Sequence, residues 1–99
     1  MKTITMLCLF SFAAQAEPNY NQLANAIWKA EGGAKTRHPY GVMCRCRNAR
    51  AVCIQTVRNA WTDWNIDHRP CDFLTYLSRI YCPPNWRVWS RNVRQLCAK

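Results

Sequence analysis

Carboxylates are scarce in this chain. Its 99 residues hold five of them, Glu17, Glu31, Asp63, Asp67 and Asp72, against 14 lysines and arginines, for a net charge of +9. Chemistry that needs two carboxyls therefore has few places to reside. Long apolar runs are also missing. Ile4 to Ala14 is mostly apolar but too short to span a bilayer, and no later run is long enough for a membrane helix, so no stable membrane insertion is expected. There is no Cys-x-x-Cys pair, which weakens a zinc site built with His38 or His68; neither a metal nor a cofactor is expected. Internal repeats, low-complexity tracts and interdomain linkers are absent as well, which points to one domain.

What is present begins with an export signal. Lys2 supplies a short positive start, Ile4 to Ala14 the apolar region, and Ala14-Gln15-Ala16 a small-x-small cleavage site before Glu17. Residues 1–16 are thus expected to leave, taking Cys8 with them, and residues 17–99 to form one exported domain, periplasmic or extracellular. Six cysteines remain: Cys44, Cys46, Cys53, Cys71, Cys82 and Cys97. An even number in a short exported chain predicts a disulfide framework, and bridges contributing about 2–4 kcal/mol each would matter to so small a core. The basic charge implies an anionic partner. Export makes nucleic acid an unexpected one and leaves cell wall, anionic lipid or an acidic protein.

Periodicity predicts a mainly α domain of four short helices with at most one short hairpin. The first is capped by Asn19, with Gln22 placed to reach back in a capping box, and stopped by Gly32-Gly33. Residues 34–48 read as a basic loop, with turn chemistry at Pro39-Tyr40-Gly41-Val42. A second helix runs from about Ala49 to Trp64, with Val52, Cys53, Thr56, Val57, Ala60, Trp61 and Trp64 inward. Pro70 suits the first position of a third, whose inner face is Phe73, Tyr76, Leu77, Ile80 and Tyr81; Pro83-Pro84 stops it. Asn85 caps a fourth, with Trp86, Trp89, Val93 and Leu96 inward and Arg87, Arg91 and Arg94 off that stripe. Most of the five tryptophans are accordingly core residues; Trp28, one turn before Glu31, is the one moved toward function.

Leu23, Ile27 and Glu31 are spaced by four, so a glutamate ends the apolar stripe of the first helix. Part-buried and at the negative end of the helix dipole, a carboxyl there has a setting that favours its protonated form, as a general acid requires. The plainer reading is a surface glutamate at a helix end.

Ala26-Ile-Trp-Lys-Ala-Glu31-Gly-Gly, followed by His38-Pro-Tyr40-Gly41-Val, resembles the catalytic region of the lysozyme-like superfamily, which includes lysozymes and soluble lytic transglycosylases. Cys53-Ile-Gln-Thr56-Val-Arg58-Asn, Asp72-Phe73-Leu, Arg79-Ile-Tyr81-Cys82-Pro-Pro and Trp89-Ser-Arg-Asn92-Val93 resemble small exported bacterial and phage proteins of that kind. Gly41-Val42-Met43-Cys44 only partly echoes the Gly-Leu-Met-Gln segment of lytic transglycosylases. The resemblance implies a small, disulfide-stapled lysozyme-like helical domain acting as a monomer on peptidoglycan glycan strands. Glu31 would be the acid/base, and Trp28, Tyr40, Gly41, Thr56 and Tyr81 cleft residues. Cys53 lies on the inner face of the second helix and Cys82 closes the third. Both fall in these motifs and are paired on that basis. Non-catalytic peptidoglycan or protein binding on the same fold, and cationic membrane disruption, are the alternatives. With Glu17 set aside at the expected mature N-terminus, Asp63, Asp67 and Asp72 are the only carboxyls left to partner Glu31 in hydrolysis. None follows it on the hairpin-like segment where a lysozyme's partner would be expected, so the resemblance favours a lytic transglycosylase with one glutamate.

Overall fold

The computed structural model describes residues 16–42 and 48–98. Residues 1–15 of the expected export signal, with Met43, Cys44 and Cys46, lie outside the described residues. Four α-helices follow in order: α1 (Tyr20–Ala30), α2 (Ala49–Ile66), α3 (Phe73–Tyr81) and α4 (Trp86–Cys97). Two 3-10 turns, Gly33–Lys35 and Pro39–Gly41, occupy the described part of the first loop, and there is no strand among the described residues. No described helix is long and apolar enough to cross a membrane.

The helices close a cycle, α1 against α2, α2 against α3, α3 against α4, and α4 back against α1. Each turns one apolar stripe inward. Leu23, Ala24, Ala26 and Ile27 meet Cys53, Val57, Ala60 and Trp64, then Phe73 and Leu77, then Trp89 and Val93. Trp61, Trp64 and Phe73 form an aromatic knot at the α2–α3 joint, with ring centroids 5.0–5.5 Å apart. The indole N–H of Trp64 donates to the Cys71 carbonyl at 2.8 Å, so its polar end is satisfied within the core.

Local chemistry accounts for the ends. Asn19 accepts from the Gln22 backbone N–H at 3.0 Å and caps α1. The return half of the capping box is not made, because the Gln22 side chain donates instead to the Cys97 carbonyl and ties α1 to the end of α4. Asn48 caps α2 through the Ala51 N–H. That helix ends where His68 and Arg69 take positive φ, which no right-handed helix can continue. Pro70 therefore stays outside α3, which starts at Phe73 with Asp72 at the cap position. Asp72 is engaged instead by the Thr75 hydroxyl and the Arg94 guanidinium. Asn85 stands at the start of α4 without a side-chain cap bond.

Two inner-face expectations are corrected. Ile80 is 48 % exposed, and Ser78 is fully buried in its place; the Ser78 hydroxyl donates to the Thr75 carbonyl, which makes that burial tolerable. Trp86 is half-buried and carries two guanidiniums over its ring, those of Arg79 and Arg87, 4.6 and 4.4 Å from the ring centroid.

The disulfide expectation also changes. Cys53, Cys71, Cys82 and Cys97 are all free thiols, so the expected Cys53–Cys82 bridge is not formed. Cys53 is fully buried in the core, whereas Cys82, at the C-cap of α3, is only partly buried against it. Three bridges among the six cysteines of residues 17–99 would require at least one between two of these four, since Cys44 and Cys46 can take only two of them. Burial pushes the thiols of Cys53, Cys71 and Cys97 upward, so alkylation of the folded protein should be slow. Alkylating the unreduced protein in denaturant and mapping the peptides should find at least two of these four cysteines labelled. Complete protection of all four would contradict this packing.

Candidate active site around Glu31

Glu31 is the first residue past α1, its backbone N–H still bonded to the Ile27 carbonyl at 2.9 Å. A carboxylate at this end of a helix is opposed by the macrodipole, by about 0.3–1 kcal/mol. What offsets that comes from the opposite end of the chain. The indole N–H of Trp89, on α4, donates to Glu31 Oε2 at 2.8 Å. Glu31 is only part-exposed and Trp89 is buried, so the bond is largely shielded from water. Oε1 has no hydrogen-bond partner among the described residues.

The turn after α1 closes over the same carboxyl. Glycine at 41 is required twice. Its φ is +69°, and a Cβ there would stand 3.0 Å from Glu31 Oε2 and 3.1 Å from its carboxyl carbon. Tyr40, just before it, also has positive φ at 62°, a costly conformation for an aromatic residue. Arg50 holds it there. From the first turn of α2, Arg50 donates to the Tyr40 hydroxyl at 3.3 Å, to Asn25 Oδ1 at 2.8 Å and to the Asn21 carbonyl at 3.3 Å. One guanidinium thus clamps α1, α2 and the turn that carries Gly41.

Tyr81, the last residue of α3, forms the remaining wall. Its ring stacks on Trp89 with centroids 5.1 Å apart and planes 15° from parallel. The same ring would lie 3.4 Å from a Cβ at Gly41. Its hydroxyl is buried and makes no hydrogen bond. Burial chiefly, then the adjacent Cys53 thiol and the Glu31 charge, pushes that phenol far above its ordinary range. Although Cys53 is beside it, no group meets hydrogen-bond geometry. An unpartnered buried hydroxyl costs about 1–3 kcal/mol. Tyr81→Phe should therefore raise stability by about 1 kcal/mol or leave it unchanged, as read from urea denaturation. A clear loss would show that the hydroxyl has a bonding role.

Of the sequence-predicted residues, Glu31, Gly41 and Tyr81 are brought together. Tyr40 joins them through the backbone, its hydroxyl turned to Arg50. Trp28 lies over Gly33, its ring atoms 3.3 Å from where a Cβ would be. Thr56 donates its hydroxyl to the Val52 carbonyl at 2.8 Å, within α2.

The chain matches no family model, no curated protein and no solved structure. Its chemistry is therefore read from the site itself.

Trp89 and Arg50 are the two residues that sequence reasoning placed elsewhere. Trp89 fell on a core stripe, which it does occupy, and nothing local tells which polar group its N–H meets. Arg50 carried a usable signal: a cation in the first turn of a helix opposes the dipole, so another interaction must hold it there.

Three of the other four carboxyls, Glu17, Asp67 and Asp72, are bonded to other groups. Glu17 accepts from the Tyr20 hydroxyl at 2.6 Å, and Asp67 from the Tyr76 hydroxyl at 2.6 Å. Bonding to Asp67 chiefly, then burial and the charges of Asp67 and Asp63, push Tyr76 up to about 12. Tyr76 and Tyr81 are five residues apart on α3, so they are roughly 7.5 Å apart along the axis and face different directions. Burial raises the Asp72 carboxyl, but hydrogen bonds from Thr75 and Arg94 outweigh it and hold this group below its ordinary value. Among the described residues no three of His, Cys, Asp and Glu converge as a metal centre would require.

Proposed function

We propose that this protein is a small exported peptidoglycan-cleaving enzyme of lysozyme-like type, a lytic transglycosylase whose single catalytic carboxyl is Glu31. One observation carries the reading: Glu31 Oε2 is occupied by the Trp89 N–H while Oε1 has no partner among the described residues. An indole N–H is a donor only. A proton on Glu31 therefore belongs on Oε1, the oxygen left to meet a ligand. The carboxyl is fixed in direction and split into one held oxygen and one working oxygen, as acid catalysis needs.

The chemistry follows with one carboxyl. Oε1–H gives its proton to the glycosidic oxygen as the bond from that oxygen to the anomeric carbon breaks. The carboxylate formed then takes the proton of the sugar's own 6-hydroxyl, whose oxygen closes onto the anomeric carbon. Glu31 ends protonated as it began, and no water is consumed. Trp89 keeps its bond to Oε2 throughout and stabilises the charged stage, since bonds to ionised acceptors are the stronger ones. The bonds of Asp67 to Tyr76 and of Asp72 to Arg94 support this one-carboxyl scheme over a paired one.

Digestion of purified peptidoglycan followed by mass analysis tests it. The expected products carry 1,6-anhydromuramyl ends, one water lighter than reducing ends. Products with only reducing ends would make the protein a muramidase and call for a second carboxyl. Binding to the wall without products would leave a non-catalytic domain, and liposome leakage without products a membrane-active one.

A further inference from the structure

Lys29 and Ala30 of α1 face Asn92, Gln95 and Leu96 of α4 across a groove of about 260 Å³. Ala30 directly precedes Glu31, and Asn92 lies one turn beyond Trp89, the residue that holds the Glu31 carboxyl. The groove therefore lies on the same α1–α4 seam that the bond from Trp89 to Glu31 crosses.

Its lining is unspent. Lys29 has no ion pair among the described residues, where the bridge formed is Arg94 to Asp72. The side-chain amides of Asn92 and Gln95 make no hydrogen bond among the described residues. Ala30 and Leu96 pack on the core and supply an apolar floor, and no carboxylate lines the space. At about 30 Å³ per water, the volume equals roughly nine waters, room for one or two amino-acid residues and not for a folded partner. A neutral glycan would leave the Lys29 charge unused. The Lys29 ammonium is a point charge that serves a carboxylate or a phosphate alike; the two flanking amides, which can donate to and accept from a peptide backbone, decide for the carboxylate of a peptide. An ammonium for a carboxylate, two amides for a peptide backbone and a short apolar floor match an acidic peptide.

We propose that this groove is the subsite for a carboxylate-bearing peptide substituent on the glycan, with Lys29 reading its charge and Asn92 and Gln95 its amides. The proposal rests on Glu31 being the acid of a glycan-cleaving site and adds which strands it selects: those that carry peptide. Lys29 is then a specificity-determining residue, exposed and replaceable without disturbing the core.

The test needs no bond cleavage. The side-chain amide signals of Asn92 and Gln95 in the 15N-labelled protein are followed while N-acetyl-Ala-Glu or its uncharged counterpart N-acetyl-Ala-Gln is added, in wild type and in Lys29→Gln. The acidic peptide should shift both signals and bind about fivefold more tightly than the neutral one, and that preference should vanish in Lys29→Gln. No shift with the acidic peptide, or a preference that survives Lys29→Gln, overturns the groove. The companion peptidoglycan digestion separates the two readings. Glu31-dependent products without peptide shifts overturn the groove alone. Lysine-dependent shifts without any products support the groove's acidic-peptide chemistry and overturn the glycan reading.

Discussion

Replacing Glu31 with glutamine should lower peptidoglycan cleavage by about 10²–10⁴-fold, the range expected when a positioned general acid is lost. Stability should stay close to that of wild type. A glutamine carbonyl can still accept the Trp89 N–H, the side-chain volume hardly changes, and no cation pairs with Glu31 among the described residues. Removing a negative charge from the C-terminal end of α1 should even help by a few tenths of a kcal/mol. Product yield per unit time by mass spectrometry, beside a thermal melt, reads both quantities. Unchanged cleavage by a folded variant would reduce Glu31 to a structural tie between α1 and α4, and so would a melt lowered by many degrees.

Gly41→Ala should disable the site by a different route. The added methyl would stand 3.0 Å from Glu31 Oε2, closer than ordinary contacts allow, at a φ of +69°. Either the turn or the carboxyl must give way. The turn is clamped through Tyr40 and Arg50, and the carboxyl by Trp89, so the displacement is shared between them. A misplacement near 1 Å costs about 10²-fold in rate, and the left-handed backbone adds about 1–2 kcal/mol of destabilisation. The expected signature is a fall in kcat larger than the loss of stability explains, measured under conditions where the variant is fully folded. Full activity in Gly41→Ala would mean that this turn does not set the carboxyl's position.

Much of the fold was legible because helix signals are local. Asn19, the Gly32-Gly33 stop, the stripe from Cys53 to Trp64 and the prolines at 83 and 84 each act within a turn or two of where they stand. Errors arose where a side chain had a distant choice. Gln22 preferred the Cys97 carbonyl to its own cap, and Trp86 found two guanidiniums in place of the core. The cysteines expose the same limit more sharply, since composition predicts bridging but only the packing decides which sulfurs meet. In the site, Glu31 and Gly41 could be singled out from the helix end and the turn that follows. Trp89 could not be linked to them. It stands 58 residues from Glu31, and only the closing of α4 onto α1 makes them neighbours.

That closure has a consequence for the order in which the protein comes into being. A chain leaving the ribosome at about 5–20 residues per second exposes α1, the Gly41 turn and α2 seconds before α4. During that interval the glutamate exists without the indole that aims it, and the cycle of helices has a gap where Trp89 and Val93 will sit. The joining of Glu31 to Trp89 therefore comes last in biogenesis, together with the final helix, and no nascent or α4-lacking fragment possesses it. The bond from Trp89 to Glu31 doubles as a readout that the last helix has docked.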